Sequence, residues 1–455
     1  MMTYWKGLTT ALCVLSGLVG GLFADDGLKL PHVHYQLDNG LNVILYQDDA
    51  VPMVAVNMWY HVGSGHEKVG RTGFAHLFEH ILFEGSKNVP EGYFDIWLEE
   101  VGGENNGSTT TDRTNYYEIV PKHALELALF LESDRMGFLL EAMSQKKLDG
   151  QRDIVKNERR ERYDNAPYGQ VFPNLVEMLY PKGHPYSWSP IGDMADLDAA
   201  SLEDVVEFFK VYYGPNNASL VIAGDIEIEP TKALVEKWFG AIPRGKPVPP
   251  LASVGARIDG EKRRVLEDDV QLERVVLGWN TPRAFGPTDA TFDILAQLLT
   301  GGKNSRLHKR LVYDLQIAQS VSAFNWSKLQ GSDFIIIATG RAGVSAAQLE
   351  KVIDEELEKL KQEAPAAREL QRVINQTRAA TLAGLQDIET VAETLNRYYF
   401  YTGNPDYLGE ELGALSLVEP QDVSTMAKTY LRPDRRVVIT VVPKKQGADA
   451  EGGTP

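Results

Sequence analysis

Cysteine is all but missing from this sequence: Cys13 is the single one in 455 residues. It sits inside an uncharged run, residues 7–24, that follows Lys6 and ends at Ala24 before Asp25 and Asp26. The basic start, apolar middle and small-residue end are those of a secretory signal over residues 1–24, which implies a periplasmic or secreted mature chain. An uncleaved anchor is the competing reading, because the run is just long enough to span a bilayer. Its four glycines and two threonines make it a poor permanent span, so no stable membrane span is expected once the signal is gone. Without Cys13 the mature chain has no disulfide to form and no thiolate nucleophile to offer.

Positive charge is also scarce. Lys and Arg number 46 against 63 Asp and Glu, a net charge of −17. Phosphate binding needs a concentrated basic patch, and none is visible, so nucleic acid is excluded as a partner. The 43% apolar and 24% charged fractions are those of a globular protein, and the length exceeds what one ordinary core organises.

Histidine is the third rarity, with nine in the whole chain. Two of them nevertheless fall within one helical turn, in Gly73-Phe74-Ala75-His76-Leu77-Phe78-Glu79-His80-Ile81-Leu82-Phe83. At about 100° per residue His76, Glu79, His80 and Phe83 share one helix face, while Phe74, Leu77, Phe78 and Ile81 form the other. Two imidazoles one turn apart can direct nitrogens at a single cation, and a neighbouring carboxylate can take a proton from a metal-bound water. The order is His-x-x-Glu-His, the reverse of the commoner His-Glu-x-x-His. A hydrolytic zinc site wants three protein ligands and an open position, and a glutamate on a following helix can supply the third. His184, between Gly183 and Pro185 in a loop, is discounted as a ligand for want of a helical partner.

In chain order, residues 34–46 read as two strands turning at Asn39-Gly40, and residues 51–60 as another strand leading into the motif helix. Residues 93–101 form a short helix. Residues 105–120, rich in Thr and Tyr, read as one polar strand at a sheet edge, able to accept an extended peptide as an added strand. Helices are expected over 124–143 and 148–162, then over 201–213 and 232–239 around a buried strand at 220–223. The Pro/Gly-rich stretch at 243–250 is the clearest linker. It divides a first domain, 25–243, from a second, 253–443, across residues 244–252; residues 444–455 are an expected disordered tail. The second half repeats the plan: strand 274–280, helix 288–299, strand 334–338, helices 346–363 and 368–400, helix 420–430 and strand 436–442. In the motif position it carries Asp293, Ala296 and Gln297, so only the first half can hold metal.

These residues resemble the pitrilysin/insulinase family of zinc peptidases, in particular its smaller bacterial and mitochondrial-processing-peptidase-like members. The likeness runs from about residue 34 to 443. It rests on the motif, on Gly102-Gly103 with Asn106 and Thr109, on Lys156-Asn157-Glu158-Arg159-Arg160 and Asn165-Ala166-Pro167-Tyr168-Gly169, and on Tyr213-Gly214-Pro215-Asn216-Asn217-Ala218 with Gly224-Asp225. The resemblance implies an α+β fold of two homologous α/β domains, each a mostly antiparallel sheet packed with helices, arranged as half of a clamshell. It implies one zinc ion per chain, held by His76, His80 and Glu158, with Glu79 as general base. It also implies peptide substrates held along Asn106, Gly107, Ser108 and Thr109.

Two departures stand out. Where the family usually has an acid seven residues before the glutamate ligand, this chain has Gln151, so tuning of the metal by a carboxylate there is lost. Active single-chain members resemble one another in an Arg followed seven residues later by a Tyr in the second half; here those positions are Val312 and Gln319, with Arg306, Arg310 and Tyr313 nearby. The expectation is therefore a zinc endopeptidase subunit that pairs with a homologous subunit carrying the Arg/Tyr pair, or else forms a homodimer. The alternative is a noncatalytic peptide-binding or assembly subunit of the same fold.

Overall fold

The computed structural model describes residues 27–251, 255 and 257–444; the expected signal with Cys13, part of the expected linker and the tail after Lys444 lie outside them. The hairpin signal at Asn39-Gly40 yields β1 (His32–Gln36) and β2 (Asn42–Gln47), paired antiparallel, with Gly40 at a φ of +96° that favours glycine. Next come β3 (Met53–Tyr60), α1 (Phe74–Ile81) and α2 (Tyr93–Glu100). The segment expected to be a single polar strand is two, β4 (Glu104–Thr109) and β5 (Thr114–Pro121), and only β4 lies at the edge. Their turn has no glycine or proline to announce it. It is closed by a side chain, since the Thr110 hydroxyl accepts the Asp112 and Arg113 N–H groups at 3.3 and 3.1 Å.

The first half continues through α3 (Leu125–Ala142), α4 (Gln145–Arg159) with a wider turn at Arg160–Asp164, α5 (Val171–Leu179), α6 (Met194–Asp198), α7 (Leu202–Tyr212), β6 (Ala218–Gly224) and α8 (Ile228–Phe239). The second runs β7 (Lys262–Asp268), β8 (Arg274–Thr281), α9 (Asp289–Thr300), β9 (Ala318–Trp326), β10 (Ser332–Gly340), α10 (Ala346–Gln362), α11 (Ala367–Gly384), α12 (Ile388–Thr402), α13 (Leu408–Ser416), α14 (Pro420–Tyr430) and β11 (Val437–Pro443). The single helix expected over 368–400 is broken between α11 and α12. Asp387 starts the new helix by accepting the Thr390 N–H at 2.8 Å.

The strand orders are β1-β2-β6-β3-β5-β4 and β7-β11-β8-β10-β9. With β1 set aside they correspond strand for strand, each with one parallel pair, β2 with β6 and β7 with β11. The fold is thus α+β, two related units of a largely antiparallel sheet with helices, as the duplication implies. Each half also lends a helix to the other. α12 lies across β3 and β6, where Val391, Ala392 and Leu395 share a core with Ile44, Ala55, Val221 and Ala223. α5 lies across β8 and β11, joining Leu175 and Leu179 to Val276, Ile335 and Ile439. Gly278 admits this approach, because a Cβ there would stand 2.8 Å from Leu175 Cδ1. No described helix is long and apolar enough to cross a membrane.

Candidate active site

The motif helix is fixed from its apolar side. Phe74, Leu77, Phe78 and Ile81 are buried, and the Phe78 ring stacks on Phe208 and Tyr213 at centroid distances of 5.1 and 5.0 Å. Its N-terminus is held from outside the helix. Glu67 accepts the Gly73 and Ala75 N–H groups at 3.0 and 2.8 Å and the Trp188 indole N–H at 3.0 Å. A carboxylate at a helix N-terminus meets free N–H groups and the positive end of the dipole. Burial opposes it, pushing the Glu67 pKa up to about 8 against those three donors.

With α1 fixed, its other face meets α4. His80 Nε2 lies 3.1 Å and His76 Nε2 3.6 Å from Glu158 Oε2. Among the described residues these three are the one group of His, Cys, Asp or Glu able to share a metal ion, with all ligand atoms within 4.8 Å of one another. Burial drives the His76 pKa down to about 4, the Glu158 charge opposing, so its imidazole is neutral and its lone pair free near neutral pH. Burial alone would raise Glu158, but the His80 hydrogen bond, the neighbouring His76 and the Arg162 charge outweigh it and hold the carboxyl below its ordinary range. Arg162, one turn on, reaches Glu158 Oε1 at 2.7 Å. Two imidazoles and one carboxylate, three donors with room for a fourth, fit zinc as a hydrolytic centre holds it.

Glu79 stands beside this cluster, half-enclosed. Burial raises its pKa, and the Thr109 hydroxyl, donating to Glu79 Oε2 at 2.6 Å, opposes the rise. Thr109 ends β4, whose outer edge has no strand partner among the described residues. One residue earlier along the same side, Gly107 lets the strand pass close over the helix: a Cβ there would lie 3.2 Å from Glu79 Cγ and 3.3 Å from Phe83. Ser108 points its hydroxyl at Asn115 Oδ1, 2.6 Å away, and Asn106 Oδ1 accepts the Gly107 N–H at 2.8 Å. All four residues named from sequence therefore lie on an open strand edge running over Glu79.

Gln151 is buried two turns before Glu158 on α4, and its amide donates to Glu84 Oε1 at 2.6 Å. A carboxylate therefore stands just beyond the motif helix, at Glu84 and not at 151. Glu84 lies four residues after His80, just past the end of α1. His184 is placed elsewhere, buried with its ring stacked on Tyr180 at 4.6 Å and its Nδ1 accepting the Tyr186 N–H. In the second half Asp293, Ala296 and Gln297 lie on α9, with no imidazole among them. Arg306 is bound to Glu369 at 2.7 and 2.9 Å, whereas Tyr313 is exposed.

Residues 42–186 match the profile described as insulinase (peptidase family M16), and residues 199–377 that of the peptidase M16 inactive domain. Across 444 residues the chain is 30% identical to the zinc protease PqqE of Helicobacter pylori, covering 96% of this chain and 98% of that one. The chain belongs to the M16 peptidase family. Its M16 fold matches the crystal structure of a protease from Helicobacter pylori with a TM-score of 0.87 at 29% identity, over 91% of this chain and all of the other. It also matches the periplasmic protease PqqL from Escherichia coli with a TM-score of 0.76 at 18% identity, but there 91% of this chain covers only 48% of the other. The two-unit M16 body seen here is thus half of that longer chain in fold.

Proposed function

We propose that this chain is a zinc-dependent endopeptidase, with His76, His80 and Glu158 as metal ligands, Glu79 as general base and β4 as the strand on which an extended peptide is laid. The observation that carries the reading is the convergence of two imidazoles on Glu158 while the adjacent Glu79 is bonded to the edge strand through Thr109. Zinc held there supplies Lewis acidity, polarising a peptide carbonyl and easing ionisation of water. Glu79 takes the proton from that water and hands it to the departing amine, a task favoured by a carboxyl whose pKa burial has raised. The outer N–H and C=O groups of β4 bind the substrate main chain by strand addition, so affinity depends little on side-chain identity.

The working enzyme has two such chains. The family's Arg/Tyr pair is absent at Val312 and Gln319, Arg306 is engaged by Glu369, and the chain corresponds in fold to half of a longer periplasmic protease. A homologous subunit bearing the pair is the preferred partner, a second copy of this chain the other. The N-terminal signal supports a periplasmic or secreted site of action.

Metal analysis and turnover of a quenched peptide library, with the chain alone and with whatever co-purifies, test this. Glu79→Gln keeps stoichiometric zinc and loses about 10²–10⁴-fold in turnover, and His76→Ala, His80→Ala and Glu158→Ala lose the metal. Stoichiometric zinc in His80→Ala, or full turnover in Glu79→Gln, sinks the assignment. Robust turnover by a monomer removes the partner requirement.

A further inference from the structure

Among the described residues the second half has no cluster of metal-ligating side chains, yet one of its carboxylates reaches the first half's sheet beside β4. Glu393 lies on α12, the helix laid across the first sheet. Its Oε2 accepts three side-chain N–H groups of that sheet: Trp59 Nε1 at 3.0 Å, Asn115 Nδ2 at 3.1 Å and Asn57 Nδ2 at 3.2 Å, all from buried residues. Its Oε1 stands 3.6 Å from the Arg113 guanidinium, which lies over the Trp59 ring at 4.9 Å.

These contacts lead directly to β4. A carboxylate can only accept, so Glu393 fixes the amide of Asn115 with its nitrogen toward α12 and its oxygen toward Ser108. That Asn115 oxygen takes the Ser108 hydroxyl at 2.6 Å and one Arg113 N–H at 3.2 Å. The same Arg113 nitrogen donates to the Ser108 carbonyl at 2.9 Å and hydroxyl at 2.6 Å. Ser108 lies between Gly107, which passes over Glu79, and Thr109, which bonds Glu79. A second grip holds the same hairpin turn. Asp112 accepts the Leu329 N–H at 2.8 Å and the Tyr401 hydroxyl at 3.4 Å, both from the second half.

We infer that Glu393 is a positioning residue for peptide binding: through Asn115 and Arg113 the metal-free repeat sets the conformation of Ser108 and thereby of the edge strand that receives substrate. The inference rests on β4 being the peptide-binding strand. It gives the second half a role in the first half's site with no ligand of its own.

The test combines hydrogen exchange of residues 104–109, zinc content and steady-state kinetics in the full-length chain with any partner that co-purifies. Glu393→Ala should retain zinc, speed exchange in β4 about ten-fold and raise KM about ten-fold, with kcat changed far less, as expected for losing a hydrogen-bonded charge that touches no reacting atom. Arg113→Ala should do the same, and the double variant should be no worse than the worse single one. Unchanged exchange and KM in Glu393→Ala, or additive losses in the double variant, overturn the inference. Glu393→Gln keeps an acceptor for Trp59 and Asn115 but no charge for Arg113. If the alanine variant does not fold, an intermediate effect in the glutamine variant supports the link and the absence of any effect overturns it. Faster β4 exchange in a zinc-loaded chain that cleaves no peptide upholds the positioning link while sinking the peptidase reading.

Discussion

Thr109 donates a hydrogen bond to Glu79, the proposed general base. Burial raises the Glu79 pKa, and the Thr109 hydroxyl stabilises the ionised form and limits the rise. On the proposed reading Glu79 is the general base and works deprotonated, so the acid limb of kcat/KM should follow this group. Thr109→Val removes the donor, the Glu79 pKa climbs further, and the acid limb moves to higher pH, whereas Thr109→Ser leaves it in place; pH-rate profiles of the two variants measure the difference. Not far below, Arg135 is fully buried between Glu118 and Glu132, its guanidinium against the rings of Phe83, Phe94 and Tyr116. Burial and the nearby Glu132 raise the Glu118 pKa, Arg135 opposing. The His-x-x-Glu-His spacing was legible because a helix turns 3.6 residues regardless of context. The Thr109 bond to Glu79 was not, since it joins two elements 30 residues apart.

Among the elements, α1 matters most, and its anchorage at Glu67 is open to measurement. The Glu67 folded-state pKa of about 8 lies above its ordinary value of 4.5, so the folded chain holds an extra proton between these values. Stability from this group is complete below about pH 4.5 and is lost as pH rises toward 8. Urea unfolding between about pH 5 and 8 should therefore show a decline in the wild type that is smaller in Glu67→Gln. Glu67→Ala leaves the Gly73 and Ala75 N–H groups without their acceptor and should cost about 1–2 kcal/mol at neutral pH. The same scale holds the main misreadings. A β4–β5 turn closed by the Thr110 hydroxyl looks like continuous strand, and the α11–α12 break looks like continuous helix. In each case one polar side chain, Thr110 or Asp387, helps redirect the backbone, and at the second break α11 ends on Gly384.

At the scale of the whole molecule the two halves are coupled by exchange of α12 and α5, which cover faces that would otherwise be bare. A first half produced alone, residues 27–243, lacks α12 and exposes Ile44, Ala55, Val221 and Ala223. It should aggregate or fail to hold zinc, and co-production with residues 253–444 should restore both solubility and metal; light scattering and metal analysis of the two preparations check this. The sequence by itself determined the motif helix, the duplication and the family, because each follows from local periodicity or from residues close together in the chain. It also showed that the second copy has Asp293, Ala296 and Gln297 where the first has His76, Glu79 and His80. Tertiary structure decided that Glu158 meets both imidazoles, that the polar segment is a hairpin with an open edge over Glu79, and that Glu393 holds that edge from the other half. Those contacts span up to 336 residues, and chain packing rather than local preference brings such distant groups within hydrogen-bonding distance.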